Sequence, residues 1–179
     1  DGKINFKTEH TTPDSLKLHW YLNELAENGV DNVAIEASSH GLLQNRLDGI
    51  DFSIGVFTNI SRDHFDYHKD YNSYFNAKAI LFNKLVKKTG GAAIAIDNLK
   101  GKEMFQLVKS RIREVVTVGY SEEADFRILS QIFSEKGQKL KFSWRKKEYV
   151  LHLNLFGDFQ AQNVLLSLAS LSMLEKNSK

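Results

Sequence analysis

Three short polar clusters hold most of the side chains in this chain that could do chemistry. The first, Glu36-Ala37-Ser38-Ser39-His40-Gly41, follows the apolar run Val33-Ala34-Ile35. The second, Thr58-Asn59-Ile60-Ser61-Arg62-Asp63-His64-Phe65-Asp66-Tyr67-His68, follows the apolar run Ile54 to Phe57. The third, His10-Thr11-Thr12-Pro13, leads into an amphipathic segment. Carboxylates, imidazoles and hydroxyls placed directly after apolar runs are what an α/β sheet offers at the carboxyl ends of its strands, where such folds bind ligands.

Several chemistries compete for these residues. Ser38-Ser39-His40-Gly41 lacks the glycine flanks of a nucleophile elbow, so the serines read as capping and turn residues rather than as a hydrolase nucleophile. His64 and His68 have the i, i+4 spacing of a zinc helix, but the glutamate after the first histidine is missing. A zinc hydrolase stays open on spacing alone. Asn59-Ile60-Ser61 matches the glycosylation triplet, which carries no weight at a strand end of a cytosolic α/β protein. A magnesium site fits better. Glu36 and His64 are expected to end adjacent strands, where they could meet on one cation with phosphate oxygens completing an octahedron. Magnesium is usually held by few protein ligands, so a nucleotide is expected nearby.

The elements that must position these clusters follow from periodicity. Leu16, Leu18, Trp20, Leu22, Leu25 and Ala26 give a helix over Asp14 to Glu27, started by Thr-Pro-Asp and stopped by Asn28-Gly29. Val33 to Ile35 and Ile54 to Phe57 read as short strands, apolar at consecutive positions as in a parallel sheet covered on both faces. Tyr71 to Val86 reads as a helix, Ala92 to Ile96 as a strand, Leu99 to Ser110 as a helix and Val115 to Val118 as a strand. That alternation predicts a mostly parallel α/β sheet flanked by helices. Near residue 120 the rhythm changes within one domain. Phe126 to Phe133, Leu140 to Trp144 and Tyr149 to Leu155 predict a small antiparallel meander, and Ala161 to Glu175 a closing helix.

Composition narrows the function classes. The chain has 179 residues with 24 Lys+Arg against 22 Asp+Glu, a net charge of +2 that favours neither a nucleic-acid coat nor an acidic tail. Cysteine is absent, which removes disulfides, thiolate metal sites and cysteine nucleophiles and agrees with a reducing compartment. No run is long enough for a membrane span, and Lys3, Lys7 and Glu9 interrupt any signal-peptide core. The expected location is the cytoplasm. The chain begins Asp1-Gly2 rather than with methionine and reads as a piece of something longer.

The clusters also carry a resemblance. Ala34-Ile35-Glu36-Ala37-Ser38-Ser39-His40-Gly41-Leu42, the segment Phe57 to His68, and Tyr74-Phe75-Asn76-Ala77-Lys78 occur in that order and resemble the central domain of a Mur ligase. His10-Thr11-Thr12-Pro13 and Gly157-Asp158-Phe159-Gln160-Ala161-Gln162-Asn163 fit the same pattern. The motifs are most similar to family members that extend UDP-N-acetylmuramoyl-L-alanyl-D-glutamate by the third stem-peptide residue, an ATP-dependent step of peptidoglycan synthesis on which cell shape and division depend.

That resemblance implies roles residue by residue. Glu36, His64 and Lys78 match the magnesium ligands, with Lys78 the lysine that family members carbamylate with CO₂. Thr11, Thr12, Ser38, Gln44 and Arg46 match contacts to the UDP-muramoyl dipeptide, where an arginine fork suits an anion and hydroxyls and an amide suit sugar and peptide groups. Asn163 matches the asparagine near the ATP adenine. The implied partners are UDP-N-acetylmuramoyl dipeptide, ATP and a diamino acid, either diaminopimelate or lysine. The pattern has departures: Gln160 replaces an asparagine, and His10 stands where an asparagine is common. No G-x-x-x-x-G-K-[ST] loop occurs in the chain. Residues 1–179 are therefore expected to be an incomplete central domain, inactive alone, with the phosphate loop upstream and the N- and C-terminal domains outside it. The alternative is a non-catalytic UDP-sugar-binding remnant or scaffold.

Overall fold

Six strands pair in sequence order among the described residues: β1 (Phe52–Phe57), β2 (Val86–Ala95), β3 (Glu114–Gly119), β4 (Phe126–Ser134), β5 (Gly137–Trp144) and β6 (Lys147–Leu153). The computed structural model describes residue 6, residue 8, residues 11–60 and residues 70–177. His10, His64 and His68 lie outside these. The chain divides into two compact units, one made of Asp1–Asp51 and His64–Leu85, the other of Phe52–Asp63 and Val86–Lys179.

The second unit holds the sheet. β1 to β4 are parallel neighbours, and β4–β5 and β5–β6 are antiparallel. The expected α/β architecture is therefore present, but strand direction reverses at the β4–β5 turn near residue 135 rather than near residue 120, because β4 still pairs parallel with β3 through Val118–Phe126 and Gly119–Arg127. Parallel pairing of β2 and β3 needs a crossover, supplied by α4 (Leu99–Val108), which the Asn98 side chain caps by accepting from Gly101 N–H at 2.8 Å. The meander needs only tight turns. Arg145 and Lys146 both have positive φ (49° and 62°), the conformation that a two-residue turn between twisted strands requires.

One face of the sheet is covered by α5 (Phe159–Asn177). Its Ala161, Leu165, Leu166, Ala169 and Met173 pack with Ala93, Ala95, Val118, Phe126, Ile128, Leu140 and Phe142. Ala92 and Ile94 alternate to the other face of β2, and α4 packs on β2 and β3. Close approach of α5 to the sheet needs Gly91, where a Cβ would sit 2.7 Å from Met173 Sδ.

The first unit is helical: α1 (Ser15–Glu27), α2 (Ser39–Leu43) and α3 (Tyr71–Ile80), with α2 packed on α3. Asp14 caps α1 through Lys17 N–H at 3.0 Å. A reciprocal box starts α3: Asp70 Oδ1 accepts from Ser73 N–H at 2.7 Å, and Ser73 Oγ accepts from Asp70 N–H at 3.2 Å.

Three expectations are corrected. Val33 to Ile35 forms no strand; Val33 is 46% exposed, and no described strand pairs with the segment. Three apolar residues become a strand only when a neighbour supplies the ladder, so Glu36 follows an unpaired segment rather than ending a strand. The helix expected over Tyr71 to Val86 is α at Tyr71–Ile80 and then a π turn at Leu81–Leu85. Leu81, Phe82 and Leu85 remain buried in that wider turn, which keeps the apolar period helix-like. β2 starts at Val86 instead of Ala92 because Lys87-Lys88-Thr89 is a strand with exposed side chains. Its backbone is still used, with Arg113 N–H donating to Lys88 O at 2.9 Å.

Candidate functional site

In the helical unit, Thr12 is the centre of a small hydrogen-bonded knot. It is 1% exposed, and its Oγ1 donates to the main-chain carbonyl of Glu36 at 2.7 Å. The same oxygen lies 3.0 Å from Ser38 Oγ and accepts from Ser38 N–H at 3.1 Å. Ser38 Oγ in turn accepts from Gly41 N–H at 3.1 Å, which caps α2. Gly41 has to be glycine for this approach, since a Cβ would lie 2.7 Å from Thr12 Cγ2.

Arg46 closes the knot from the far end of α2. Its Nη1 donates to the Thr12 carbonyl at 2.8 Å, and its Nε donates to Gln44 Oε1 at 2.8 Å. Nη2 also donates to Gln44 Oε1. Three of the five guanidinium N–H groups are thereby fixed in direction, and two remain without a partner among the described residues. A planar fork held this way has a preset orientation, which suits an anion such as a carboxylate or phosphate.

Lys78 sits on α3, with its Nζ 5.1 Å from the centroid of the Tyr74 ring one turn earlier. Burial pushes the Lys78 amine below its ordinary value, and the Glu36 carboxylate pulls it part of the way back. Glu36 itself is exposed. A lysine whose ammonium is disfavoured by burial gives up its proton more readily than a solvated one, and the neutral amine, unlike the ammonium, can act as a nucleophile toward a small electrophile such as CO₂.

The structure thus brings together Thr12, Glu36, Ser38, Gln44 and Arg46, with Lys78 interacting with Glu36. Thr11, next to the knot, is exposed. His64 lies outside the described residues. Asn163 belongs to the sheet unit, exposed in the first turns of α5, where its carbonyl accepts from Ser167 Oγ at 3.0 Å. Among the described residues no three His, Cys, Asp or Glu side chains form a group able to hold a metal ion. Glu36 supplies one carboxylate, and a carbamate on Lys78 would supply a second anionic oxygen ligand. These donors suit a hard cation such as magnesium.

A cavity of about 270 Å³ in the sheet unit, lined in part by Asp125, Trp144, Arg145 and Ser172, contains none of the residues singled out from the sequence. Its polar groups already have partners. Asp125 Oδ2 accepts from Thr117 N–H at 2.8 Å and from its hydroxyl at 2.7 Å, and the Arg145 guanidinium lies 4.4 Å from the Trp144 ring centroid. Sequence reasoning missed Tyr74 as the surface under Lys78 and Asp97 as a junction at the carboxyl ends of β2 and β3. The i, i+4 spacing of Tyr74 and Lys78 was a usable signal for the first, and an aspartate just past an apolar strand for the second.

Comparison with known proteins identifies the family and the fold. Residues 1–171 match the family model described as the Mur ligase middle domain. A UDP-N-acetylmuramoyl-L-alanyl-D-glutamate–2,6-diaminopimelate ligase of Bradyrhizobium diazoefficiens is 42% identical over 160 residues, covering 88% of this chain and 33% of that protein. The enzyme of the same name from Listeria monocytogenes is 33% identical over 171 residues, covering 94% of this chain and 35% of its own. The chain therefore spans about a third of the length of these curated relatives. A solved structure of a ligase with that name superposes with a TM-score of 0.83 at 30% identity, over 94% of this chain and 35% of that one. A MurF ligase from Thermotoga maritima in complex with ADP shares the fold, with a TM-score of 0.60 at 17% identity over 69% of this chain and 28% of its own.

Proposed function

This chain belongs to the Mur ligase middle-domain family, and we propose that it supplies the central, incomplete domain of an ATP-dependent ligase extending UDP-N-acetylmuramoyl-L-alanyl-D-glutamate by one amino acid. The observation that carries this reading is the Thr12–Glu36–Ser38–Arg46 knot with Lys78 beside it, formed by the residues whose motifs match the family. The names of the relatives support 2,6-diaminopimelate as the incoming amine.

In this reading an oxygen of the substrate carboxylate attacks the γ-phosphorus of ATP, and ADP leaves. The amine nitrogen then attacks the acyl carbon, the carbon–oxygen bond to phosphate breaks, and the amine proton passes to solvent or base. The chain's own residues bind and orient. Arg46 presents its two remaining N–H groups to an anionic part of the dipeptide substrate, with Gln44 fixing the plane of the fork and Thr12 fixing its distance. Thr11 and Ser38 offer hydroxyls to sugar and peptide groups. Lys78, as the neutral amine, adds to CO₂ to give a carbamate and one released proton. Glu36, His64 and that carbamate would hold magnesium, which when bound neutralises charge on the transferring phosphoryl group. Asn163 faces the adenine.

The test is product formation by the full-length protein with ATP, magnesium, bicarbonate, UDP-muramoyl dipeptide and either diaminopimelate or lysine. One amide product and one ADP per turnover with diaminopimelate supports the reading. Product with lysine alone reassigns the amine, and binding of the UDP-sugar without turnover favours a non-catalytic role.

A further inference from the structure

Asp97 joins three elements of the sheet unit through one carboxylate. It lies two residues past the end of β2. Its Oδ1 accepts from the N–H of Tyr120, the residue after β3, at 2.7 Å. Its Oδ2 accepts from Nε2 of Gln162, near the start of α5, at 2.7 Å. The junction leaves no room for a side chain at Gly119, where a Cβ would lie 2.4 Å from Asp97 Oδ1.

The approach to α5 is held from the other side as well. Gln138, 3% exposed, donates from Nε2 to the carbonyls of Leu155 at 3.2 Å and Gly157 at 3.0 Å. Gln131 Nε2 donates to Gln138 Oε1 at 2.7 Å and to the Asp158 carbonyl at 3.0 Å, and the Tyr120 hydroxyl donates to Gln131 Oε1. Tyr120 therefore touches both supports, through its main chain on Asp97 and its hydroxyl on Gln131. Of these residues only Gly157, Asp158 and Gln162 belong to a motif named above, the segment that ends in Asn163.

We propose that Asp97 is a positioning residue for the nucleotide: by holding Gln162 it fixes the start of α5 and so the direction in which Asn163 is presented. This rests on the reading that Asn163 faces the adenine. A helix end is the part of a helix most prone to fray, because its first N–H groups have no partner within the helix. A ligand contact placed there needs support from outside, and a tilt of 10–20° is enough to spoil such a contact. A carboxylate suits the task because it accepts two hydrogen bonds at once, both strengthened by its charge.

The experiment is steady-state kinetics of the full-length enzyme with three variants, together with hydrogen exchange of the amides at 159–163. Asp97→Ala and Gln162→Ala are each expected to raise KM for ATP about tenfold, with KM for the UDP-muramoyl dipeptide unchanged and exchange at the start of α5 accelerated. The double variant is expected to be no worse than Asp97→Ala alone, which already removes the bond to Gln162. Asp97→Asn keeps an oxygen for Tyr120 N–H and offers an amide N–H to Gln162 Oε1, so it is expected to recover most of the ATP affinity. Equal rises in both KM values, an unchanged KM for ATP in Gln162→Ala, or unaltered exchange at 159–163 would overturn the positioning role. A wild-type enzyme that forms product without ATP would overturn the functional reading itself, a result distinct from any of these.

Discussion

The hydroxyl of Thr12 donates to the main-chain carbonyl of Glu36, 24 residues away, at 2.7 Å. One buried side chain thus ties the Thr-Thr-Pro segment to the Glu-Ala-Ser-Ser segment, and Arg46 adds a second tie through the Thr12 carbonyl. Two of the polar clusters singled out from the sequence are in this way joined by hydrogen bonds.

Thr12→Val keeps the shape and removes the hydroxyl. It leaves the Glu36 carbonyl and Ser38 N–H short of a partner, at a cost of about 1–3 kcal/mol. Urea unfolding is expected to show a lower midpoint with an unchanged slope, and KM for the UDP-muramoyl dipeptide is expected to rise more than KM for ATP. An unaltered midpoint would show that the knot adds nothing to stability.

Arg46→Ala removes the fork and both of its internal tethers. Loss of a charged hydrogen bond to an anion costs about 1.5–3 kcal/mol, so KM for the dipeptide substrate is expected to rise roughly tenfold to more than a hundredfold. Arg46→Lys, which cannot hold Gln44 and Thr12 at once, is expected to recover only part of this. Equal effects on ATP and dipeptide would mark Arg46 as a purely architectural residue.

Burial depresses the Lys78 amine below the ordinary 10.5, which sets two signs. Between the lowered folded value and 10.5 the unfolded chain binds more protons than the folded one, so this group's contribution to stability rises with pH across that window. Lys78→Met is expected to remove that rise in pH-dependent unfolding. Carbamylation follows the neutral amine, so carbon-13 bicarbonate NMR of the metal-loaded enzyme is expected to show a carbamate signal that grows with pH and is absent in Lys78→Met. A bare ammonium throughout would sink the assignment of Lys78.

Much of the sheet was legible because its strands are apolar at consecutive positions and its meander is marked by Glu135-Lys136-Gly137 and Arg145-Lys146-Lys147. Val33 to Ile35 misled because an apolar triplet carries no information about whether a pairing partner exists. The start of β2 was hidden by Lys87-Lys88-Thr89, whose polarity reflects exposed side chains rather than an irregular backbone. In the helical unit the residue types pointed to Thr12, Ser38 and Arg46, but not to the bonds among them. Those bonds are long-range and involve main-chain carbonyls, which a sequence does not distinguish. Asp97 escaped for the same reason: its partners are a backbone N–H beyond β3 and a side chain on α5.

The most direct measurement compares the 179-residue chain with the full-length protein for amide formation and phosphate release. The reaction contains ATP, magnesium, bicarbonate, UDP-muramoyl dipeptide and diaminopimelate. Phosphoryl transfer depends on positioning and charge stabilisation, and the sequence contains no G-x-x-x-x-G-K-[ST] loop to cradle the phosphates. The account predicts turnover by the full-length protein that is lost in Glu36→Ala, and none above background by the 179-residue chain. Turnover by the short chain that survives repurification and disappears in Glu36→Ala would contradict its assignment as an incomplete central domain. Absence of turnover by the full-length protein with either diamino acid would contradict the ligase itself.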